Sequence, residues 1–199
     1  MRKVVVSEFV TLDGVMEDPG GAEKTKHGGW SFKIKSSPDQ LKFKFDELFA
    51  GGGLLLGRVT YQGFAQAWPS MKDPYGFADR MNSLPKYVVS TTLDRVEWNN
   101  SRIIRENIAE EVNKLKQQPG QDILVFGSGE LARTLMRHGL VDELRLMVFP
   151  IVLGSGKRLF GEGEDLMTVM SLADTKVFES GVVLLSYRPQ AEAPQDKGA

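Results

Sequence analysis

Two short stretches of this chain carry no polar side chain, residues 54–56 (Leu-Leu-Leu) and 123–126 (Ile-Leu-Val-Phe), and each runs into a glycine and then a helical pattern. A strand that reads as continuously apolar is buried on both faces, which is the condition of a strand inside a parallel sheet covered by helices. The same alternation extends along the sequence. Residues 3–10 are β-branched and apolar and predict a first strand. Residues 20–37, rich in Gly and Lys, predict a long loop. Residues 38–50 set Leu41, Phe45, Leu48 and Phe49 at helical spacing, with Ser37 as N-cap and Pro38 as first helical residue, and Gly51-Gly52-Gly53 predict the stop. Further helices are predicted over 60–67, 108–117 (capped by Asn107) and 129–138, and further strands over 87–90 and 143–149. Residues 175–180 and 182–188 predict a hairpin turning at Ser180-Gly181. The fold class is therefore α/β, with a mostly parallel central sheet and an antiparallel C-terminal hairpin. At 199 residues the chain suggests one domain over 1–188. Residues 189–199, with no apolar side chain larger than alanine, predict a disordered tail.

Composition narrows the chemistry. The sequence has no cysteine and two histidines, His27 and His138. That removes thiolate nucleophiles, disulfides and Cys-ligated metals, and leaves little material for a His-based metal site or a Ser–His triad. Lys plus Arg number 25 and Asp plus Glu 26, for a formal charge of -1. No global field draws the chain to nucleic acid or to an anionic membrane, so any anion must be held by a local site. The first apolar run breaks at Ser7-Glu8, too early for a signal peptide. No run approaches the roughly 18 residues of a membrane span. The expectation is a soluble cytoplasmic protein with a small-molecule partner.

In sheets of this kind ligands bind outside the carboxyl ends of the strands. Residues 123–126 are followed by Gly127-Ser128-Gly129-Glu130-Leu131-Ala132, a glycine turn into a helix, where backbone N–H groups and the helix dipole suit a phosphate. Residues 54–56 are followed by Gly57-Arg58-Val59-Thr60; Arg58 offers a donor fork for phosphate, and Thr60 a hydroxyl. The strand at 87–90 ends in Ser90-Thr91-Thr92, which suits either a phosphate or a simple hydroxyl turn. Three successive strands ending in anion-competent groups, in a chain of no net field, point to one ligand with several phosphates, a dinucleotide. Arg58 with Ser90 and Thr91 would suit the extra ribose phosphate of NADP.

These segments are familiar together. Residues 7–14 (SEFVTLDG), 54–61 (LLLGRVTY), 82–90 (NSLPKYVVS), 125–129 (VFGSG), 142–144 (DEL) and 150–160 (PIVLGSGKRLF) run in an order that resembles the bacterial dihydrofolate-reductase-like proteins, relatives of the C-terminal reductase domain of the riboflavin-biosynthesis deaminase–reductase. The resemblance covers residue 3 to about residue 188. It implies a dihydrofolate-reductase-like three-layer fold, bound NADPH and a homodimer with late strands near 142–149 at the contact. It also implies that Gly57, Arg58, Thr60, Ser90 and Thr91 hold the adenosine end. Gly127, Ser128, Gly129, Glu130 and Leu131 would cradle the pyrophosphate, and Val10 and Gly14 would lie near the nicotinamide. Asp39 falls where dihydrofolate reductases place a substrate carboxylate, and Asp46 has a similar claim.

The function this implies is hydride transfer from NADPH to a small, flat substrate, a ribosylaminopyrimidine phosphate or a dihydropterin. Asp13 and Asp39 are the candidate catalytic acids, with Asp46 and water as other proton sources. Phe9, Trp30 and Phe45 are candidates to stack on the substrate. One rival reading is a non-catalytic NADP-binding sensor. The other, a dehydrogenase of the Rossmann type, fits poorly with the closing hairpin.

Overall fold

The computed structural model describes residues 1–161 and 166–190. Thirteen principal elements follow in chain order: β1 (Val4–Thr11), α1 (Pro38–Ala50), β2 (Gly51–Gly57), α2 (Arg58–Ala67), α3 (Phe77–Ser83), β3 (Lys86–Val89), β4 (Ser101–Ile104), α4 (Ile108–Gln117), β5 (Asp122–Phe126), α5 (Gly129–Arg137), β6 (Glu143–Phe149), β7 (Met170–Val177) and β8 (Val183–Pro189). The strands form one sheet in the order β4-β3-β2-β5-β1-β6-β8-β7. Every neighbouring pair from β4 to β6 is parallel, and β8 runs antiparallel to both β6 and β7. The expected sheet is the one observed.

Residue alternation on the central strands builds the layers. Val4, Val6 and Val10 of β1 join Ile123 and Val125 of β5 against Val112 and Leu115 of α4 and Leu131 and Leu135 of α5. Val5 of β1 and Leu124 and Phe126 of β5 turn the other way, with Leu54 and Leu56 of β2, against Leu48 of α1, Tyr61 of α2 and Met81 of α3. Both faces of the sheet centre are therefore covered, which is why its strands read as unbroken apolar runs. A third cluster, Trp30, Met147, Phe149, Phe178, Val182 and Leu184, packs the long loop onto the hairpin.

Several local expectations are corrected. Gly51 to Gly53 do not merely stop α1; they open β2. A Cβ on Gly51 would stand 2.4 Å from Leu124 Cδ1, and one on Gly52 2.8 Å from the Gln121 carbonyl oxygen, so only glycine admits this close strand packing. Ser37 and Asn107 make no side-chain capping bond. Ser37 Oγ donates instead to Asp39 Oδ1 at 2.5 Å, and Asn107 is left-handed at φ +52°. The long loop contains a turn of 3-10 helix over Trp30–Lys33. It is organised by buried Asp18, whose carboxylate accepts from the Glu23 and Thr25 N–H groups at 3.0 Å each. The last strand runs through Pro189, and Gln190 N–H donates to the Val169 carbonyl, so the order extends past the predicted boundary. The rest of the predicted tail, 191–199, lies outside the described residues.

Candidate active site

The chain leaves β1 and β5 on opposite faces: β1 leads to α1, and β5 leads to α5. Adjacent strands connected this way leave a crevice at their carboxyl ends. Register deepens it here. Pairing of β1 with β5 ends at Ser7 opposite Phe126, whereas pairing of β1 with β6 continues to Thr11 opposite Phe149. Residues 8–11 thus have no strand partner on the β5 side.

Two glycine turns meet beside this crevice. Gly57 N–H donates to Ser128 Oγ at 2.9 Å, stitching the start of α2 to the start of α5. Gly127 is left-handed at φ +57°. A Cβ there would stand 3.0 Å from Thr60 Oγ1, and one on Gly57 3.3 Å from Ser128 Oγ. Ser128 is itself left-handed at φ +66°. The structure therefore brings together Gly57 and Thr60 with Gly127, Ser128 and Gly129, Gly57 and Ser128 being 71 positions apart in sequence, at two adjoining helix starts. Met16 lies across this cradle: a Cβ on Gly129 would stand 2.5 Å from its Sδ. Leu131 is buried in the core below, and Glu130 is exposed in the first turn of α5.

Arg58 stands at the exposed start of α2 with Nη1 donating to Gln62 Oε1 at 3.1 Å. Buried Ser90 directly follows β3; its Oγ accepts from the Thr92 and Leu93 N–H groups at 3.2 and 3.0 Å, which makes it a hydroxyl turn. Thr91 beside it is exposed.

The β1 side of the crevice holds groups that sequence reading missed. Glu8 is 2% exposed and its Oε1 has no hydrogen-bond partner. Burial pushes its carboxyl well above the usual range, against the pull of the Lys44 charge and the Gly127 N–H, so its protonated form is favoured over that of an exposed glutamate. On the α1 side, Ser7 Oγ donates to Glu47 Oε2 at 3.1 Å, and Lys44 Nζ donates to the same oxygen at 2.5 Å. Arg145 of β6 donates to Glu47 Oε1 at 3.1 Å. Burial works against the Glu47 charge, yet Lys44 and Arg145 keep its carboxyl below the usual range. Lys44 Nζ also lies 4.3 Å from the Phe126 ring centre and 5.4 Å from that of Phe9. For Glu8 the available signal was an acid placed among Val4, Val6 and Val10 on an otherwise apolar face of the strand.

The remaining predicted residues have other positions. Val10 is buried under the sheet, and Gly14 closes a turn at φ +78° with its N–H on the Thr11 carbonyl. Asp13 accepts from Thr11 Oγ1 at 2.6 Å and from the Gly154 and Leu153 N–H groups at 2.8 and 3.2 Å. The Thr11 hydroxyl, with these amides, holds its carboxyl at about 2. A carboxylate so stabilised keeps no proton to give near neutral pH; it ties the first loop to residues 153–154. Asp39, lowered by the Ser37 hydroxyl, faces the hairpin, with Lys176 Nζ at 3.9 Å. Trp30 is buried edge-on to Phe149 at 5.3 Å, and Phe9 meets the same ring at 5.1 Å. Phe45 belongs to a separate group, stacked on Phe49 at 4.2 Å. Asp46 is an exposed partner of Lys42. The structure brings Phe9 and Trp30 to one ring, Phe149, while Asp39, Phe45 and Asp46 make their contacts elsewhere, and Trp30 offers no free ring face.

A cleft of about 490 Å³ beside α2, lined by Tyr61, Gln66, Arg95 and Trp98, includes none of these crevice residues. Among the described residues no three His, Cys, Asp or Glu side chains form a metal site, and no helix is long and apolar enough to cross a membrane.

Comparison with known proteins bears on the family and the fold. The family model described as RibD C-terminal domain matches residues 2–184. The uncharacterized protein YyaP of Bacillus subtilis (strain 168) is 35% identical over 189 residues, covering 94% of each chain. YwjB of the same organism is 28% identical, covering 92% of this chain and 96% of YwjB. Among solved structures, a protein named for riboflavin biosynthesis from Shewanella sp. PV-4 superposes with a TM-score of 0.73 at 22% identity, over 96% of this chain and 100% of that one. Dihydrofolate reductase of Enterococcus faecalis, complexed with NADP(H), superposes with a TM-score of 0.57 at 16% identity, over 95% and 97%. The fold is thus dihydrofolate-reductase-like.

Proposed function

We infer that this chain, which belongs to the RibD C-terminal domain family, is an NADPH-dependent reductase of a small heterocyclic substrate. The observation that carries the reading is the pair of glycine turns locked together at the starts of α2 and α5, where a Cβ on Gly57 or Gly127 would press on Ser128 or Thr60. Two helix starts held side by side in this way fit the binding of a pyrophosphate. Gly127, Ser128, Gly129 and the backbone of Glu130 and Leu131 would hold it. Gly57, Arg58, Thr60 and Thr91 would hold the adenosine end, with Arg58 as the fork for the ribose phosphate. Ser90 would contribute by shaping the turn. Bound NADPH would supply the hydride, which the side chains of this protein cannot.

The chain's own residues supply position. Val10 supports the ring end from below, and the Gly14 turn, pinned by Asp13, borders it. The substrate would lie on the α1 side, with Phe9 and Asp39 at its edges. Removing a flat substrate from water and fixing it against the donor is the larger part of such catalysis.

Thermal unfolding tests the cofactor. NADPH at millimolar concentration should raise the melting temperature, and NADH less so. Arg58→Ala should weaken NADPH by about tenfold and leave NADH nearly unchanged, as expected for one charge-assisted phosphate contact. No shift with either cofactor refutes the reading; equal losses refute the role of Arg58. Screening NADPH oxidation with dihydropterins and ribosylaminopyrimidine phosphate separates the reductase from a sensor, which would bind without turnover.

The homodimer is supported by the sheet face turned away from α1. Cross-strand rows Leu144–Tyr187–Leu172 and Val148–Val183–Val177 run outward along it. Their ends are open, Leu172 being 53% and Val177 70% exposed. Apolar rows of this kind mark an interaction surface, and a second copy meets it with the same chemistry. Light scattering should give a dimer, and Val183→Arg with Leu185→Arg should give a folded monomer. A monomeric wild type would overturn the assignment.

A further inference from the structure

We propose that Glu8 grips the carboxamide of the nicotinamide ring, its acid group offering one donor and one acceptor to the amide and fixing the ring against β1. The proposal rests on the dinucleotide reading above.

Position is the first argument. Along the sheet the anion-competent turns end β3, β2 and β5, and the next strand is β1. Here the phosphate-binding character stops. Residues 8–11 lack a strand partner on the β5 side, and Glu8 comes directly after the last paired residue, Ser7. A dinucleotide whose pyrophosphate lies at Gly127–Gly129 therefore brings its ring end to Glu8.

Chemistry is the second. A strand that buries Val4, Val6 and Val10 on one face would be served better by another apolar residue at position 8. Instead it carries an acid that is 2% exposed and whose Oε1 bonds to nothing. Buried polar atoms are left unpaired rarely, and a waiting ligand is one reason. The groups acting on this carboxyl are the Gly127 N–H from the turn after β5 and Lys44 and Glu47 from α1. Burial outweighs Lys44, and Glu47 adds to it, so both act in favour of the uncharged acid. An uncharged acid presents a hydroxyl donor and a carbonyl acceptor. A primary carboxamide presents the complementary pair, a carbonyl and an NH₂. No phosphate does, and a carboxylate at this point would repel one. Because Oε1 is closed to solvent in the free protein, the ring must displace covering side chains to reach it.

Wild type, Glu8→Gln and Glu8→Leu are titrated calorimetrically with NADPH and with 2′-phospho-ADP-ribose, which lacks the nicotinamide. Melting temperatures of the free proteins are recorded alongside. Glu8→Leu should weaken NADPH by about tenfold or more, as the loss of a buried hydrogen-bonded contact does, and leave the truncated probe unchanged. Glu8→Gln, neutral and able to donate and accept, should keep most of the affinity for both. The free Glu8→Leu protein should melt no lower than wild type, since it loses an unpaired polar group. If Glu8→Leu does not fold, Glu8→Ala replaces it with the same binding expectations. Equal weakening of both probes, or no weakening of NADPH, overturns the proposal while the dinucleotide reading stands. Failure of wild type to bind either probe overturns both.

Discussion

Replacing Glu47 by alanine is expected to lower folding stability by about 3–5 kcal/mol, the cost of breaking a buried ion cluster from one side. The Glu47 side chain is 0% exposed and accepts from Ser7, Lys44 and Arg145. Three elements converge on it, β1, α1 and β6. Without it Lys44 keeps a contact with Ser7 at 3.3 Å, and Arg145 keeps Glu143 at 2.7 Å. Both cations would then be only partly compensated in a poorly solvated place. Urea denaturation checks the size of the loss, and Glu47→Gln should fall between the two. The pH dependence has a definite sign. The folded carboxyl lies below its unfolded value near 4.5, so its contribution is complete above that pH and fades as pH falls through the folded value. The gap between wild type and Glu47→Gln should narrow on acidification below 4.5. A gap that is the same at pH 3 as at pH 7 would show that charge is not what Glu47 contributes.

Lys86→Met is expected to destabilise by about 3 kcal/mol, because buried acceptors left without a donor are costly. Lys86 is 0% exposed at the start of β3. Its ammonium donates to the carbonyls of Asn82 at 2.7 Å, Leu84 at 2.9 Å and Asn99 at 3.1 Å, and stands 4.1 Å from the Trp98 ring centre. All three protons are used. Burial draws the group down to about 8, which leaves it largely charged at neutral pH, as three carbonyls and a ring face require. Methionine fills the volume and supplies none of the donors. Two of those carbonyls belong to the end of α3 and the turn after it; the third belongs to the approach to β4. The loss should appear in the melting temperature and in faster amide exchange over 82–89. An unchanged melting temperature would mean that water reaches those carbonyls.

How much of this could be read beforehand depends on sequence distance. The bounds of α1 and α4 were legible because proline, amphipathic spacing and a closing polar run act within one helix. The glycine turns at 57 and 127–129 were legible for the same reason: each is a local necessity of a strand turning into a helix. β4 and α3 were missed. β4 is a short edge strand of mixed burial, and α3 is started by Asp73, which accepts from Tyr75, Phe77 and Ala78 N–H groups, an arrangement without apolar period. The charged cluster was beyond reach, since Glu47 and Arg145 are 98 residues apart and each alone reads as a surface charge. Aromatic candidates failed differently. Trp30 and Phe45 carry the right chemistry for stacking, but their partners, Phe149 and Phe49, had to be known before their faces could be called spent.

The place of β1 at the centre of the sheet has a consequence for synthesis. Its backbone is joined on one side to Asp122, 119 residues downstream of Lys3, and on the other to Asp142, 138 residues downstream of Val4. As the chain leaves the ribosome, Val4, Val5 and Val6 emerge well before β5 and β6, the strands that flank them. Every helix from α1 to α4 can form while that valine run is still unpaired, and contacts this distant in sequence slow folding. Until then this valine run is a bare adhesive edge, and the centre of the sheet closes only when β5 and β6 arrive to take both its sides.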